Sequence, residues 1–309
     1  MYRSYRRLLS CLTVMGGLCL TATHASAITL PDPTSTINGQ AVTMQYGDFY
    51  SYSLPILNAL TNTTNYTVPS SPGQLAQSIV IASHPLAQGQ NNHNTNGLAL
   101  TGVDNVFETP NGMNGAPTFN TVDAPDPGGA GEFIGDTANT WDIRLDTLAT
   151  FLNGDDLVFF FNHNQTDEEQ DLRVRGSVTL TDDLGNVTKV LKFGDGPTAD
   201  DYVLAEGNYD SGIGTIDHNL GANDAAYAVF SLELNEILKT AGFGGSTVMQ
   251  VSLDMVDLNN GYEQLFIQRA TVLGPDDPVI VVDAVPEPVT ATMGLLGLGA
   301  LAMSIRRRR

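Results

Sequence analysis

The sequence predicts an all-β protein: an antiparallel β-sandwich of jelly-roll type with one or two short helices, followed by a C-terminal transmembrane helix. Three observations lead to this prediction. Apolar and polar residues alternate with period two in several interior segments, turn-forming residues separate these segments, and an apolar run of 17 residues, Val289 to Ile305, lies near the C-terminus. Many short strands with few helical patterns are typical of sandwiches.

The clearest strand runs from Leu172 to Leu180, where every second residue is apolar or glycine and the residues between them are polar. Such alternation indicates a strand with one buried face. A second strand, Val187 to Phe193, follows the turn-rich segment Thr181 to Asn186. We therefore expect these two strands to form a hairpin.

Weaker strand patterns occur along the rest of the chain. They cover Val42 to Leu54, Ser78 to Ala82, Leu157 to Asn162, Tyr227 to Leu234, Thr247 to Asp257 and Tyr262 to Val272. The last two segments flank Leu258-Asn259-Asn260-Gly261, and an Asn-Gly pair is a strong signal for a short hairpin turn. We therefore predict that they pair with each other.

Helical spacing is limited to two short segments. Asp146 to Leu152 has leucines at helical intervals and ends at Asn153-Gly154, a pair that suits a helix C-terminus. Leu234 to Thr240 is a second candidate, closed by Gly242. Both belong to one exported domain, which we place at residues 28–284.

The N-terminal 27 residues have the three parts of a secretory signal peptide. Arg3, Arg6 and Arg7 precede the apolar run Leu8 to Leu20, and Ala25-Ser26-Ala27 has the small-x-small form that signal peptidase cuts. We predict cleavage after Ala27. Both cysteines, Cys11 and Cys19, are removed with this segment, so the mature chain has no disulfides, thiol catalysis or thiolate metal sites.

The C-terminal segment, residues 285–309, is a membrane-sorting signal in three parts. They are the motif Val285-Pro286-Glu287-Pro288, the apolar run, and the basic end Arg306, Arg307, Arg308 and Arg309. At about 1.5 Å per residue, a 17-residue helix spans roughly 25 Å, close to the hydrocarbon thickness of a bilayer. The arginines favour a cytoplasmic end, so residues before the motif face outward.

This order of parts resembles the PEP-CTERM sorting signal of Gram-negative bacteria. The resemblance implies that an exosortase, a membrane protease, recognises Pro286-Glu287-Pro288 after export and processes the tail. It also implies an inner-membrane intermediate, a final location at the cell surface or outside the cell, and an association with exopolysaccharide or biofilm matrix. The body is similar to domains of unassigned activity in other PEP-CTERM proteins, through Phe159 to Gln165 and Asn260 to Gln264.

Charge restricts the partners of the mature chain. Seven of the 14 basic residues lie in the two terminal segments, which leaves seven; 33 of the 34 acidic residues remain, so the net charge is −26. Such a surface repels nucleic acid and anionic lipid, which excludes both as expected partners. It favours solubility and suits divalent cations.

No catalytic pattern stands out. The sequence has no Gly-x-Ser-x-Gly elbow, phosphate-binding loop or His-Glu-x-x-His motif, and the histidines are scattered. We therefore predict that the protein is not an enzyme and expect no cofactor other than calcium. A glycan hydrolase that uses two carboxylates is the alternative, because only two acids about 5 to 10 Å apart are needed.

Acidic loops are the candidate calcium ligands, since hard cations take several oxygen ligands from flexible loops. The candidates are Asp167, Glu168, Glu169 and Asp171 in one loop and Asp195, Asp200 and Asp201 in another, and a third loop, Asp254 to Glu263, has a similar composition. None matches the EF-hand pattern. Solvated turns without an ion are the alternative interpretation.

A row of tyrosines is the candidate carbohydrate site. In the predicted strand Val42 to Leu54, Tyr46, Tyr50 and Tyr52 share one face. That face belongs to the core if it is buried; if it is exposed, its rings can stack on sugars. The predicted function is a structural or adhesive component linked to exopolysaccharide, and the first alternative is a carbohydrate-binding module assisted by calcium.

Overall fold

The computed structural model describes residues 27–71, 74–83, 94, 98–110, 118–124, 131–165, 171–196, 199–221, 223–258 and 263–277. Within these ranges the protein is mostly β, and its sheets are mostly antiparallel. This confirms the predicted class. Three α-helices are present in the described part, where one or two were predicted: α1 (Leu54–Thr61), α2 (Leu145–Leu152) and α3 (Leu232–Lys239).

Eighteen strands are described. In chain order they are β1 (Ile28–Leu30), β2 (Thr36–Ile37), β3 (Gln40–Ala41), β4 (Met44–Tyr46), β5 (Phe49–Ser53), β6 (Ile79–Ser83), β7 (Phe107–Glu108), β8 (Phe119–Asn120), β9 (Trp141–Arg144), β10 (Asp156–Phe161), β11 (Asp171–Thr181), β12 (Val187–Phe193), β13 (Val203–Glu206), β14 (Asn208–Asp210), β15 (Thr215–Asp217), β16 (Tyr227–Phe230), β17 (Val248–Val256) and β18 (Leu265–Val272). Their pairing forms two large sheets and two small ribbons, β2 with β3 and β14 with β15.

The first sheet has the order β4-β5-β16-β10-β18-β6-β7, and β1 also pairs with β18. The β1–β18 and β6–β7 pairs are parallel, and the other pairs are antiparallel. The second sheet has the order β12-β11-β17-β8; β13 also pairs with β11, and β9 with β17. All of its pairs are antiparallel.

The main hydrophobic core takes side chains from both large sheets, which face each other across it. Phe49 of the first sheet shows this arrangement. Its ring lies 6.3 Å from Phe159 in the same sheet and 6.1 Å from Phe193 in the second sheet, both in edge-on geometry. A second core, on the opposite face of the first sheet, contains Tyr52 and leucines of α1.

Local sequence explains the ends of each helix. Ser53 caps α1 by accepting a hydrogen bond from the N–H of Ile56, and Pro55 lies in its first turn. Asn62 and Asn153 end α1 and α2 in the left-handed conformation that asparagine tolerates. Ser231 caps α3, and Lys239 lies in its last turn.

The prediction of one strand from Val42 to Leu54 is wrong. Gly47 and Asp48 form a tight turn that divides the segment into β4 and β5, which pair with each other. Gly47 adopts a φ of 59°, and an added Cβ would lie 2.3 Å from the carbonyl oxygen of Lys192. Only glycine fits at this turn. Gly47 was therefore the residue in the sequence that indicated a hairpin here rather than one continuous strand.

The predicted hairpin around Leu258 to Gly261 is also wrong. β17 pairs with β11, β9 and β8 in the second sheet, whereas β18 pairs with β10, β6 and β1 in the first. The chain therefore crosses between the sheets. Leu258 and Glu263, on either side of the crossing, are both buried.

The segment Tyr227 to Leu234 begins as predicted, but the strand ends at Phe230. Ser231 then caps a helix, because serine followed by an acidic first turn and leucines at helical spacing favours a helix start. By contrast, β12 and most of β11 lie where the alternation placed them, and they form the predicted hairpin.

The terminal predictions fall outside the described residues. They concern the signal peptide up to Ser26, the motif Val285 to Pro288, the apolar helix Val289 to Ile305 and the four terminal arginines. Within the described ranges, no helix has the length and apolar character that crossing a bilayer requires.

Candidate functional site

A polar groove of about 400 Å³ lies on the outer face of the second sheet, and we call it the outer groove. Strand register builds its floor, because residues that pair across antiparallel strands point to the same face. Two rows of side chains cross the sheet there. They are Lys192, Ser177 and Ser252 in one row, and Arg175, Asp254 and Asn120 in the other.

Arg175 is fixed from three sides. Its Nε and Nη2 donate to Oδ2 of Asp254 at 3.0 and 2.8 Å, and its Nη1 donates to the carbonyl oxygen of Asp200 at 3.0 Å. The guanidinium lies 4.4 Å from the centre of the Tyr202 ring. The hydrogen bond to Asp254 raises the pKa of Arg175. Arg175 is therefore a permanently charged, oriented donor.

Each side of the groove has its own hydrogen-bonded pair. Nζ of Lys192 donates to Oδ1 of Asp200 at 2.5 Å. On the other side, Nδ2 of Asn120 donates to Oδ2 of Asp123 at 2.9 Å, and the N–H of Asp123 donates back to Oδ1 of Asn120 at 2.7 Å. These pairs hold both walls in defined positions.

The outer groove therefore presents fixed donors and acceptors within a short distance of each other. Arginine, lysine and amide groups donate, carboxylates accept, and the hydroxyls of Ser177 and Ser252 can do either. Such a surface is suited to a ligand with many hydroxyl groups, because each hydroxyl both donates and accepts. Prior ordering of the side chains reduces the entropy cost of binding.

Three aspartates meet next to this groove, and we call them the aspartate cluster: Asp104, Asp136 and Asp142. One carboxylate oxygen from each lies within 4.8 Å of the others, and Asp104 and Asp142 are buried. Oδ2 of Asp104 accepts a hydrogen bond from the N–H of Asp142 at 2.6 Å. Oδ2 of Asp136 accepts from the N–H groups of Gly131 and Glu132 at 2.6 and 2.7 Å.

Electrostatic repulsion and burial act on Asp142. Its pKa is raised to about 6, mainly by burial and in smaller part by the charge on Asp136, and hydrogen bonds from Thr140 and Thr137 oppose the increase. Three carboxylates at this spacing have the oxygen chemistry that Ca²⁺ takes, with backbone oxygens or water completing its six to eight ligands. The cluster is a candidate cation centre.

Gln250 joins the aspartate cluster to the outer groove. It pairs with Asp142 in the β9–β17 register, and its Nε2 donates to Oδ2 of Asp142 at 3.3 Å. Along β17, Gln250, Ser252 and Asp254 point to the same face at intervals of about 7 Å. A cation held by the cluster would therefore stabilise one end of the groove.

Comparison with protein families assigns the body of the chain. The family model described as a domain of unknown function, DUF8239, matches residues 28–255. The chain belongs to the DUF8239 family. Neither a search of curated proteins nor a search of solved structures found a match.

A second family model, the PEP-CTERM protein-sorting motif, matches residues 284–309. The DUF8239 domain therefore belongs to an exosortase-sorted protein. It is exported through the membrane to the cell surface of a Gram-negative bacterium. These findings confirm the resemblance carried by Val285 to Pro288, the apolar run and the arginines.

The three tyrosines of the predicted carbohydrate row do not form one exposed row in the DUF8239 domain. Tyr52 is buried and its hydroxyl donates to the carbonyl oxygen of Pro31, so its ring cannot contact a sugar. Tyr50 is partly buried and stacks on Phe230. Tyr46 lies across the turn in β4 and contacts Phe193 edge-on. The hairpin at Gly47 separates Tyr46 from the other two.

Some predicted calcium ligands lie within the described residues. Asp195 and Asp201 pair through their backbones, and Asp200 binds Lys192. Among the residues that the structure describes, these three do not bring their oxygens within metal-binding range of one another. Asp167, Glu168 and Glu169 lie outside the described residues, as does the side chain of Asp171.

The remaining sequence features are the histidines and the two segments that resemble other PEP-CTERM proteins. His163 and His218 are buried, and burial lowers the pKa of His218, whose Nε2 lies 2.7 Å from Oγ of Ser53. His84 and His93 are outside the described residues. Of the segments Phe159 to Gln165 and Asn260 to Gln264, the described residues Asn162 and Gln264 are in contact: the backbone N–H of Asn162 donates to the carbonyl oxygen of Gln264 at 3.1 Å.

Sequence reasoning missed most of the site. It identified Asp200 and the polar face of β11, but it did not identify Arg175 and Asp254 as partners or find the aspartate cluster. The available signal was the alternation of β17, which places Gln250, Ser252 and Asp254 on one face. The partners on β8, β9 and β11 depend on register between distant segments.

Proposed function

We propose that the exported DUF8239 domain is a non-catalytic structural or adhesive component of the extracellular matrix, and that it binds exopolysaccharide through the outer groove. One observation carries the proposal: fixed donors and acceptors are concentrated on one sheet face of a protein that is sorted to the cell surface. The protein would then have both a matrix role and a carbohydrate-binding role, and the outer groove rather than the tyrosine row would be the binding surface.

Charge supports a sugar ligand. Only seven basic residues lie between residues 28 and 284, and two of them, Arg175 and Lys192, line the outer groove. Each is paired with an aspartate, which offsets its charge but leaves N–H groups available for further hydrogen bonds. With Asp123, Asp200 and Asp254 the lining carries three acidic and two basic side chains, so a neutral glycan fits this surface better than an acidic one.

Calcium is the second part of the proposal. Ca²⁺ bound by Asp104, Asp136 and Asp142 would relieve repulsion between buried carboxylates and fix the loop that contains Asp136. Through Gln250 it would also hold the β17 end of the groove. Calcium is then a structural aid to glycan binding rather than a direct ligand of the sugar.

The proposal is tested in the native host. Wild-type protein and the Arg175→Ala variant are compared by the fraction that stays with the washed extracellular matrix and the fraction released to the medium. We expect Arg175→Ala to be exported normally and to accumulate in the medium. Mass spectrometry of both termini identifies the processed form in each fraction. Equal matrix retention of the two proteins would refute the role of the groove.

A further inference from the structure

An apolar cavity of about 490 Å³ lies between the two large sheets, on the opposite face of the second sheet from the outer groove. Its walls are the inner faces of the strands, so its lining follows from the same alternation that forms the core. Phe159, Phe161 and Val229 contribute from the first sheet, and Val178, Val251 and Leu253 from the second. Small-molecule sites in proteins commonly have volumes of about 300 to 1,000 Å³.

The lining of the cavity is free of charge. None of the lining residues is Asp, Glu, Lys or Arg, although 16% of the chain is charged. An ion that entered the cavity would lose its hydration without gaining a partner, which is strongly unfavourable. The cavity therefore selects for uncharged molecules.

Gly176 helps to create the space. It faces inward between Val174 and Val178, at a position where the alternation of β11 calls for an apolar side chain. An added Cβ would lie 2.8 Å from the carbonyl oxygen of Ser252. The close approach of the β17 backbone therefore excludes a side chain at this point, and no side chain from position 176 projects into the cavity.

Exposed apolar side chains line the entrance. Met44 and Tyr209 contribute to the cavity lining and are 58% and 40% exposed. Exposed apolar patches on soluble proteins mark sites of interaction or ligand entry. Their position at the cavity gives an apolar molecule a continuous path from solvent to the interior.

Two serines of β5 give the cavity a polar contact. Oγ of Ser53 is occupied by Ile56 and by Nε2 of His218. Ser51, one inward position earlier, makes no side-chain hydrogen bond to any residue that the structure describes, and it lines the cavity. Its hydroxyl can donate to or accept from a ligand oxygen.

We propose that this cavity binds an uncharged, largely apolar small molecule with one hydrogen-bonding oxygen, of the class of long-chain or terpenoid alcohols. Ser51 receives the oxygen, and the phenylalanine, valine and leucine side chains enclose the hydrocarbon part. The protein then carries a lipid-like molecule in the matrix, an activity independent of glycan binding.

Isothermal titration with 1-dodecanol, dodecanoate and dodecylammonium tests the proposal, because the three probes share one chain and differ in head-group charge. The exported protein is purified without detergent. We expect saturable binding of one dodecanol per chain and affinities at least about tenfold weaker for the two ions, from the cost of burying an unpaired charge. No binding of dodecanol, or equal affinity for all three probes, would overturn the proposal.

Variants assign the binding to the cavity. Ser51→Phe fills it, so we expect loss of dodecanol binding with an unchanged or higher melting temperature. Leu184→Phe adds the same ring at an exposed loop position and should bind like wild type. If Ser51→Phe does not fold, Met44→Glu places a charge at the entrance, because Met44 is exposed and pairs with Ser51, and it should weaken binding about tenfold. Wild-type affinity in a folded Ser51→Phe or Met44→Glu protein would contradict the assignment.

Discussion

Asp254 holds Arg175 through a single carboxylate oxygen. Oδ2 of Asp254 accepts two hydrogen bonds from the guanidinium, at 3.0 and 2.8 Å, and a third from the hydroxyl of Tyr202 at 2.7 Å. Three side chains from β11, β17 and the segment before β13 therefore form one unit. Its arrangement determines where the donors of the outer groove point.

Replacing Asp254 by alanine should release both partners. We expect the affinity for the host's exopolysaccharide to fall about tenfold, because hydrogen bonds to charged groups contribute about 1.5–3 kcal/mol and 1.4 kcal/mol corresponds to a factor of ten. The free energy of unfolding should change by about 1 kcal/mol, since both side chains of the ion pair are partly exposed to solvent. Calorimetric titration and urea unfolding measure the two effects. Unchanged affinity would contradict the role of this unit.

The aspartate cluster should make thermal stability dependent on calcium. We expect a few millimolar Ca²⁺ to raise the melting temperature relative to EDTA, because a ligand at 100 times its dissociation constant stabilises the folded state by about 2.7 kcal/mol. Asp136→Asn should lose most of this increase. Asp210→Asn, in an exposed turn, should retain it. An equal calcium effect in wild type and Asp136→Asn would contradict binding at the aspartate cluster.

Glu263 should make stability fall with rising pH. Burial raises its pKa from 4.5 to about 8, and hydrogen bonds from its own backbone and that of Asn164 offset only part of this effect. Above pH 4.5 the folded protein keeps a proton that the unfolded chain has released, so the free energy of unfolding decreases until about pH 8.

The isosteric variant Glu263→Gln should remove this slope. Between about pH 6.5 and about pH 8, the free energy of unfolding of wild type should fall by up to about 2 kcal/mol, whereas that of the variant should not show this decrease. Urea unfolding in EDTA measures the difference, and EDTA prevents calcium from contributing. Asp142 titrates near pH 6, below this interval. Parallel pH profiles for the two proteins would show that Glu263 does not carry the effect.

Ser53 should stabilise the domain more than Ser51 does. It caps α1 through Ile56 and binds His218, so Ser53→Ala should lower the free energy of unfolding by about 1 to 2 kcal/mol. Ser51→Ala removes the same atoms two residues away and should cost less than about 0.5 kcal/mol. Urea unfolding compares them directly. Equal losses would mean that the cap and the histidine contact contribute nothing.

Local sequence patterns correctly predicted those elements whose ends are determined by neighbouring residues in the sequence. β12 was predicted at its observed bounds, because alternation and the turn at Asp182 to Asn186 both lie within the hairpin. α1 was missed although its signals are present: Ser53, Pro55 and leucines at 54, 57 and 60. The alternation of Tyr50 and Tyr52 continued into the helix start and concealed the change of period.

The candidate site could not be predicted from local patterns. Asp104 and Asp142 are 38 residues apart and meet because Val103 bridges to Ile143. Arg175 and Asp254 meet through a register between strands that are distant in sequence. Acidic residues that are adjacent in sequence occur in loops such as Asp195 to Asp201. The carboxylate oxygens that lie close together in the fold come instead from separate segments of the chain.

The central claim, glycan binding in the outer groove, is tested most directly by the dissociation constant for the host's exopolysaccharide. Lys192→Ala is compared with Lys189→Ala, which removes a similar exposed lysine–carboxylate pair from the same strand but outside the groove. We predict that Lys192→Ala weakens binding about tenfold and that Lys189→Ala binds like wild type. Equal affinities for the two variants would contradict the claim.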